Sequence, residues 1–441
     1  MDINAKKLIF VLNEEEYWKR WKMVRQIKKH KLAVTFSELK GNPKWSIMME
    51  PLWYIPFSLF SPFATIYMHS IGVSQVKIGL LISIGMFLQV FFALFSGIIT
   101  DKMGRRKTTL IFDLISWTIP CLVWGFAQNF WWFLIAAIFN SLYQITSTSW
   151  TCLFTEDCPE EHVVNAFTLI YLTGMMSVFI APLAVVLIGK YSLVPVVRYL
   201  YIFSAISMAL KFILLYIYGG ETKQGKIRME ETKNESIFSL FKGYKAVFVQ
   251  MIKSKDTMLV LAFMAITSIA NITTTNFFPL YITEDLYIAD ALVAVFPMIR
   301  TGIMLIFVLG MQGRLNRLSL KVSIVGGLIL SIVSHIFLLV APPKTLTMVI
   351  LYIVFEAMGF AIFSPRRDAL MTLFVDPKER SRIYALLNMI MIGITAPFGS
   401  IIGYMSSTNG TYPFIFNILL FGIGSLMIVK SKSIAQYESK C

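Results

Sequence analysis

Charged residues are scarce in this chain. They make up 15% of its 441 residues, and the stretches 114–155 and 383–429 contain none. About a quarter of the residues in a soluble globular protein are charged, so this composition excludes an ordinary soluble domain. It favours a membrane protein, because about 20 apolar residues in a helix cross the bilayer and a helix pairs its own backbone groups there.

Cysteine and histidine are also rare, with four of each. The cysteines form no CxxC pair, so we predict neither a disulfide framework nor a metal site, and we expect no cofactor. The sequence also lacks GxSxG, HExxH and the phosphate-binding GxxxxGKS/T. We therefore predict that the protein is not an enzyme and not a self-contained ATP-driven pump.

Twelve stretches are apolar enough and long enough to cross a membrane, and we number them span 1 to span 12. They predict an all-α membrane protein of twelve transmembrane helices. The spans cover residues 51–72, 76–100, 108–127, 129–153, 164–189, 194–218, 257–282, 291–311, 320–341, 345–374, 383–406 and 412–430.

Lysine and arginine determine the predicted orientation. Of the 40 such residues, 34 fall on the side of the two termini and only four, at positions 77, 190, 198 and 344, fall on the other side. Because positively charged loops remain in the cytoplasm, we predict a multi-pass protein of the bacterial plasma membrane with both termini cytoplasmic. The net charge of +15 then indicates attraction to anionic membrane lipid and not to nucleic acid.

This orientation is testable with single cysteines placed at Ser236 and Asn409 in a cysteine-free background. We expect them to react with an impermeant thiol reagent from opposite sides of the membrane, with Asn409 labelled in intact cells and Ser236 only in opened ones. Labelling of both positions from the same side would contradict the twelve-span arrangement.

The chain is predicted to consist of two six-span halves. Four pairs of short motifs recur at offsets of 213 to 220 residues, among them Phe60–Phe63 with Phe277–Leu280 and Ala181–Ala184 with Ala396–Gly399. Two parallel halves around a central axis are typical of secondary transporters, whose substrate site lies between the halves near the membrane midplane. The predicted parts are a basic N-terminal segment (1–50) that is either an interfacial helix or a solvated tail, halves at 51–218 and 257–430, a cytoplasmic linker at 219–256 and a tail at 431–441.

The loop between spans 2 and 3 lies within "SGIITDKMGRRKTT", residues 96–109. It resembles, position by position, the signature that the major facilitator superfamily carries between its second and third helices. With the twelve spans and the repeat, the resemblance covers nearly the whole chain after residue 50. The matching residues are Gly97, Asp101, Lys102, Gly104, Arg105, Arg106 and Lys107.

We interpret this loop as part of a cytoplasmic gate. Gly97 is expected to let a neighbouring helix approach closely, and Asp101 to lie at the positive N-terminus of span 11, which the resemblance places nearby. The two arginines are expected to pair with the acidic loop after span 4 and so to hold the cytoplasmic face closed while the other face is open. In the alternative interpretation the cations serve topology alone. The acids of that loop are Glu156, Asp157, Glu160 and Glu161.

Two charges lie at similar depth within the membrane. Arg300 is about 13.5 Å from the outer end of span 8 and Glu356 about 17 Å from that of span 10. One prediction is a pair that faces the cavity, in which Glu356 takes up a proton and Arg300 either sets the pKa of Glu356 or binds an anionic group. The alternative is a static ion pair between helices. Lys211 is interpreted as reaching to the interface, and Asp113 as neutralising an arginine of the gate loop.

Further candidates for the cavity wall come from the resemblance, because spans 1, 4, 7 and 10 line the cavity in that family. Polar side chains can also join helices, but their position on these spans favours the cavity. The predicted cavity residues, besides Arg300 and Glu356, are Asn140, Tyr143, Gln144, Asn271, Thr275 and Asn276.

The leading functional prediction is a monomeric secondary transporter that works by alternating access, with proton-coupled efflux of an amphipathic small molecule. Two departures count against drug/proton exchange: span 4 lacks the Arg-x3-Gly pattern common in such exporters, and span 5 keeps only Ala181-Pro182 of their glycine-rich signature. Uptake of a small metabolite by proton symport or uniport is the alternative. A transporter-like membrane receptor or scaffold is the alternative of another class.

Overall fold

The computed structural model describes residues 31–234, 253–315, 319–373, 380–431 and 434. Within them every regular element is helical, and ten helices are long and apolar enough to cross a membrane. The predicted all-α membrane fold is therefore confirmed. The ten membrane helices are Gln75–Met103, Arg105–Gly125, Asn165–Tyr191, Leu193–Tyr218, Lys255–Asp285, Asp290–Phe307, Leu320–Leu339, Leu346–Arg367, Leu386–Thr408 and Tyr412–Lys430.

The two remaining predicted spans are present as interrupted helices, so the fold is consistent with twelve. Span 1 consists of Pro51–Phe60, a 3-10 turn at Ser61–Phe63 and Ala64–Ser70. The turn contains Pro62, which lacks the N–H that a continuous helix requires. Span 4 is divided at Leu142 into Phe130–Ser141 and Tyr143–Thr155.

Span 7, the predicted repeat partner of span 1, is irregular at the corresponding place. Wide π-helical turns at Thr273–Phe277 and Tyr281–Asp285 flank the short helix Phe278–Leu280. Such turns occur often at functional sites because they reorient side chains within a helix. The motif that repeats in the sequence thus marks a break in both helices.

Short helices lie on one face of the bundle. Lys31–Glu38 and Gly41–Met49 precede span 1, and Lys223–Thr232 follows span 6. We call the last one the linker helix, its side of the molecule the linker face, and the other side the opposite face. Most of the predicted basic N-terminal segment, residues 1–30, lies outside the described residues.

The apolar core differs between the two faces. One large cluster joins both halves toward the opposite face and includes Phe63 and Tyr67 of span 1 together with Phe277 and Ile282 of span 7. Toward the linker face the core divides into one cluster within the second half and one within the first half. The described structure therefore has its two halves packed together at the opposite face.

Spans 2 and 11 meet there almost backbone to backbone. A Cβ atom added to Gly399 would lie 2.9 Å from the carbonyl oxygen of Gly79, and one added to Gly403 would lie 2.9 Å from the Cα of Gly79. The backbone N–H and hydroxyl of Ser400 donate to the hydroxyl of Ser83 at 2.8 and 2.9 Å. We call this contact the glycine seam. Glycine is needed because any side chain would force the helices apart.

Candidate functional site

A cavity of about 380 Å³ lies between the two halves, bordered by spans 1, 5, 7, 8 and 10. Its wall is mainly aromatic and aliphatic, with Tyr54 and Phe57 on one side and Phe278, Phe296 and Tyr352 on the other. Pockets for small molecules usually combine such a lining with a few oriented polar groups. The volume and lining suit a compact, largely apolar organic molecule.

The polar groups of this cavity centre on an ion pair. Arg300 donates from Nε to one carboxylate oxygen of Glu356 at 2.6 Å and from Nη2 to the other at 3.0 Å. The guanidinium also lies 4.6 Å from the ring centroid of Phe360. A two-point contact of this kind fixes the geometry of both side chains. The side chain of Arg300 is 29% exposed and that of Glu356 only 11%, so the arginine is the more accessible member.

The sequence-predicted cavity residues divide into two groups. Asn271, Thr275, Arg300 and Glu356 border the central cavity, and their contact with substrate stays a prediction. The other four do not border it, because their polar groups are turned elsewhere. The amide of Asn140 donates to the backbone of Ser116, Gln144 donates to the hydroxyl of Tyr143, and Asn276 donates to Ile272 of its own helix. Tyr143 borders a second cavity described below.

Sequence reasoning missed the aromatic wall. Tyr54 and Phe57 precede the break in span 1, and Phe278 stands at the break in span 7. The repeated Phe-x-Pro motif could have indicated them, because two helices broken at related positions point to a functional surface at the repeat interface.

The gate loop forms a compact ion-pair network around Arg105, whose side chain is only 5% exposed. Its guanidinium contacts Asp101 at 2.9 Å and Glu156 at 3.0 Å. The two acids come from the end of span 2 and the end of span 4. Arg105 therefore joins three spans of the first half at the linker face.

The linker docks on this network. The carboxylate of Glu221 accepts hydrogen bonds from the backbone N–H groups of Arg105 and Arg106 at 2.9 and 3.0 Å. It thus caps the positive N-terminus of span 3. The hydroxyl of Thr222 donates to Glu156 in a very short contact.

The linker helix adds a second cation. Arg228 donates to Asp101 at 2.9 and 3.2 Å. This hydrogen bond raises the pKa of Arg228 above its ordinary value, because the carboxylate favours the charged guanidinium. Asp101 therefore binds two guanidinium groups, one from its own loop and one from the linker.

Several gate predictions need correction. No atom of the described residues lies within 4 Å of a Cβ placed on Gly97, so the expected close helix contact is not seen there. The close approach occurs at Gly104, which has a φ of 82° and lies against Glu221. Within the described part of the acidic loop, Arg106 pairs with neither Glu156 nor Asp157. Its Nε donates to the carbonyl of Tyr216 at 2.8 Å, and its guanidinium covers the Tyr216 ring.

Of the other acids predicted for the gate, Asp157 is exposed, and the side chains of Glu160 and Glu161 lie outside the described part of the chain. The same holds for the side chains at the start of span 11, so the predicted approach of Asp101 to that helix stays a prediction.

The described ion pairs lie within the first half and the linker, while the opposite face is closed. They therefore do not act as a bridge between halves that forms only when that face is open.

A second cavity of about 300 Å³ lies within the first half, and we call it the N-half chamber. Glu50 and Lys211 pair across it at 2.8 Å, with side chains only 5 and 6% exposed. Lys211 does not reach the interface as predicted, because its ammonium is held by this buried carboxylate. Removing one member of such a pair costs about 3–5 kcal/mol, since the other charge is left uncompensated.

Asp113 also borders the N-half chamber. It interacts electrostatically with Lys211 and Glu50 and not with the arginines of the gate loop, which bind the partners described above. The prediction that Asp113 neutralises one of those arginines was therefore wrong. Its helix turns the carboxylate toward the interior of the first half.

The sequence model of the Major Facilitator Superfamily matches residues 52–317. The chain belongs to this family and is a multi-pass membrane transporter. A curated relative is the multidrug resistance protein MdtG of Enterobacter lignolyticus (strain SCF1), 27% identical over 197 residues, which are 43% of this chain and 46% of that protein. The match thus spans about half the length of this relative.

Solved structures share the fold. The nucleoside transporter NupG superposes with a TM-score of 0.66 at 15% identity, covering 90% of this chain and 100% of that one. A POT family transporter in complex with 5-aminolevulinic acid gives 0.65 at 16% identity, covering 92 and 96%. The human organic anion transporter MFSD10 gives 0.59 at 13% identity, covering 88 and 98%. At these identities the likeness concerns the fold alone.

Proposed function

We propose that the protein is a proton-coupled exporter that carries an amphipathic small molecule through the central cavity by alternating access. The observation that carries this proposal is the cavity itself, which combines an apolar aromatic wall with one buried acid held by one arginine. An apolar wall binds the non-polar body of the cargo. The ion pair supplies a group that can change its charge.

The coupling step uses the exchange of partners at Glu356. When Arg300 holds the carboxylate, the acid is ionised and the pair is neutral. When a conformational change draws Arg300 away while the cavity is open to the outside, an ionised Glu356 is left buried without compensation, which is costly. The acid then takes up a proton from the outside. Return of Arg300 when the cavity is open to the cytoplasm expels the proton there, and the cargo then binds beside the restored ion pair and is carried outward.

A second polar group is available for the cargo. Tyr352 lies in the cavity wall, and its buried hydroxyl, near Thr274, makes no hydrogen bond of normal geometry with the described residues. A buried polar atom without a partner is costly, and a ligand that bonds to it removes that cost. We infer that the cargo carries a hydrogen-bonding group that reaches Tyr352.

Export is favoured by the apolar wall and by the similarity to a protein named for multidrug resistance. The alternatives from the sequence remain uptake by proton symport, uniport, and a receptor or scaffold. The proposal includes the predicted orientation, with both termini on the cytoplasmic side of a bacterial plasma membrane. Protons and membrane lipid are the expected partners besides the cargo.

The test begins with a thermal-shift screen of a compound library on detergent-purified protein, because a ligand that binds only the folded state raises its melting temperature. The best ligand is then added to proteoliposomes with an imposed pH gradient. For an antiporter we expect accumulation in vesicles with an acidic lumen, abolished by a protonophore. Accumulation in vesicles with an alkaline lumen would indicate symport, and uptake without regard to the gradient would indicate uniport. Ligand binding without any flux would favour a receptor.

A further inference from the structure

The N-half chamber contains two carboxyl groups and one amine, that is, one acidic group more than it has basic groups. Glu50 and Lys211 neutralise one another, which leaves Asp113 as the surplus acid, and the residue as a whole is 6% exposed. The other titratable groups in the wall are the phenols Tyr54, Tyr143 and Tyr171, which add no positive charge. Arg105 and Arg106, on the same span as Asp113, are bound to the gate acids and to Tyr216.

The chamber wall suits a cation. It includes Trp53, Trp117 and Trp150. The ammonium of Lys211 already lies over two of these rings, 5.9 Å from the centroid of Trp53 and 6.0 Å from that of Trp150. Tryptophan faces bind cations best of all aromatic side chains. One face of each of these two rings is stacked on a phenylalanine, Phe57 or Phe154, so a cation in the chamber would share the other face with Lys211.

Two buried polar groups of the same wall have no partner of normal geometry among the described residues. They are the indole N–H of Trp150 and the hydroxyl of Thr146, the latter close to Asp113. Thr146 is only 3% exposed. An indole N–H can only donate, so it requires an acceptor atom. A bare metal ion would not satisfy it, and the described residues contain no cluster of three or more metal-ligating side chains.

We propose that the N-half chamber is a second binding site, for a small organic ammonium ion that also carries an oxygen acceptor, and that a proton competes with this ion for Asp113. The ammonium would lie between the carboxylate and the tryptophan faces, and the acceptor would take the N–H of Trp150. This proposal does not rest on proton-coupled export through the central cavity, because its test measures binding alone.

The test uses three ligands of nearly equal shape on the full-length protein in detergent, with binding measured by calorimetry. Acetylcholine has both the charge and the acceptor. Its uncharged carbon isostere, 3,3-dimethylbutyl acetate, lacks the charge, and pentyltrimethylammonium lacks the acceptor. We expect the isostere to bind at least about tenfold more weakly than acetylcholine. Pentyltrimethylammonium should fall between them.

Variants then locate the site. Asp113→Asn, which keeps the shape of the side chain, should weaken acetylcholine binding by about tenfold or more, since a charge-assisted contact is lost. Trp150→Phe removes the N–H and part of the ring face, so it should weaken both cations, and acetylcholine more than pentyltrimethylammonium because only acetylcholine uses the N–H. Glu230→Gln makes the matched change at an exposed acid of the linker helix and should alter nothing. Size-exclusion chromatography checks folding, and if Asp113→Asn does not fold, Trp150→Phe and the three-ligand comparison still decide.

Competition with a proton gives a separate signature. For one-for-one exchange, the apparent affinity for acetylcholine should fall by up to about tenfold for each pH unit below the titration of Asp113, and this slope should vanish in Asp113→Asn. Equal binding of acetylcholine and its isostere would overturn the proposal. So would binding that survives Asp113→Asn and is lost in Glu356→Gln, because the cation would then occupy the central cavity.

Discussion

Replacing Glu356 with glutamine is expected to abolish gradient-driven accumulation of the cargo while leaving cargo-for-cargo exchange across the membrane intact. Glutamine keeps an oxygen that accepts from Arg300, but it cannot release a proton. Net transport against a gradient needs that proton, whereas exchange does not. The measurement compares the two fluxes in the same proteoliposomes, with and without an imposed pH gradient.

Controls separate coupling from folding. Glu230→Gln, at an exposed position of the linker helix, should match the wild type in both fluxes. Arg300→Gln should impair accumulation as well, since Glu356 would lose the partner that keeps it ionised and would retain its proton. Continued concentration of cargo by Glu356→Gln would show that the proton is carried elsewhere. Loss of exchange together with accumulation would identify Glu356 as a cargo ligand or a structural partner.

Replacing Asp101 with asparagine is expected to slow transport sharply while insertion and expression stay near normal. Asp101 binds both Arg105 and Arg228, so one substitution weakens the contact within the gate loop and the contact with the linker. Hydrogen bonds to charged groups contribute about 1.5–3 kcal/mol each, which corresponds to a rate lower by roughly one to two orders of magnitude if one of them is needed in the transition.

A graded series distinguishes the two contacts. Arg228→Gln removes only the linker contact and should have a smaller effect than Asp101→Asn. Glu221→Gln weakens the cap on span 3 and should also slow transport. A wild-type rate for Asp101→Asn, at equal protein per vesicle, would show that the network serves assembly or topology and not the transport cycle.

The sequence predicted the fold well because hydrophobicity and charge act over whole segments. Stretches without charge imply helices that cross the membrane, regardless of detail. The pairing of Arg300 with Glu356 could be anticipated for a similar reason: counting residues along two helices placed both charges at one depth, where each needs a partner.

Contacts that depend on helix rotation or on a distant segment could not be predicted. Glu221 and Arg228 lie more than 110 residues from the loop they bind, and nothing in a surface helix marks which acid or base will dock. The polar side chains of span 4 were misplaced because that span does not border the central cavity, and Asn140 and Gln144 bond to neighbouring protein groups. Lys211 was misinterpreted because Glu50 was assigned to the N-terminal segment and not to the membrane interior.

The glycine seam has a consequence for the energetics of the transport cycle. Because Gly79, Gly399 and Gly403 bring backbones together without interlocking side chains, the helices can part without any rotamer having to change. Most interfaces in a protein are held by interdigitating side chains. At the seam, backbone contacts and the hydrogen bonds between Ser83 and Ser400 take the place of such packing. We therefore expect spans 2 and 11 to separate there with less rearrangement than the apolar cluster around Phe63 and Phe277 would need.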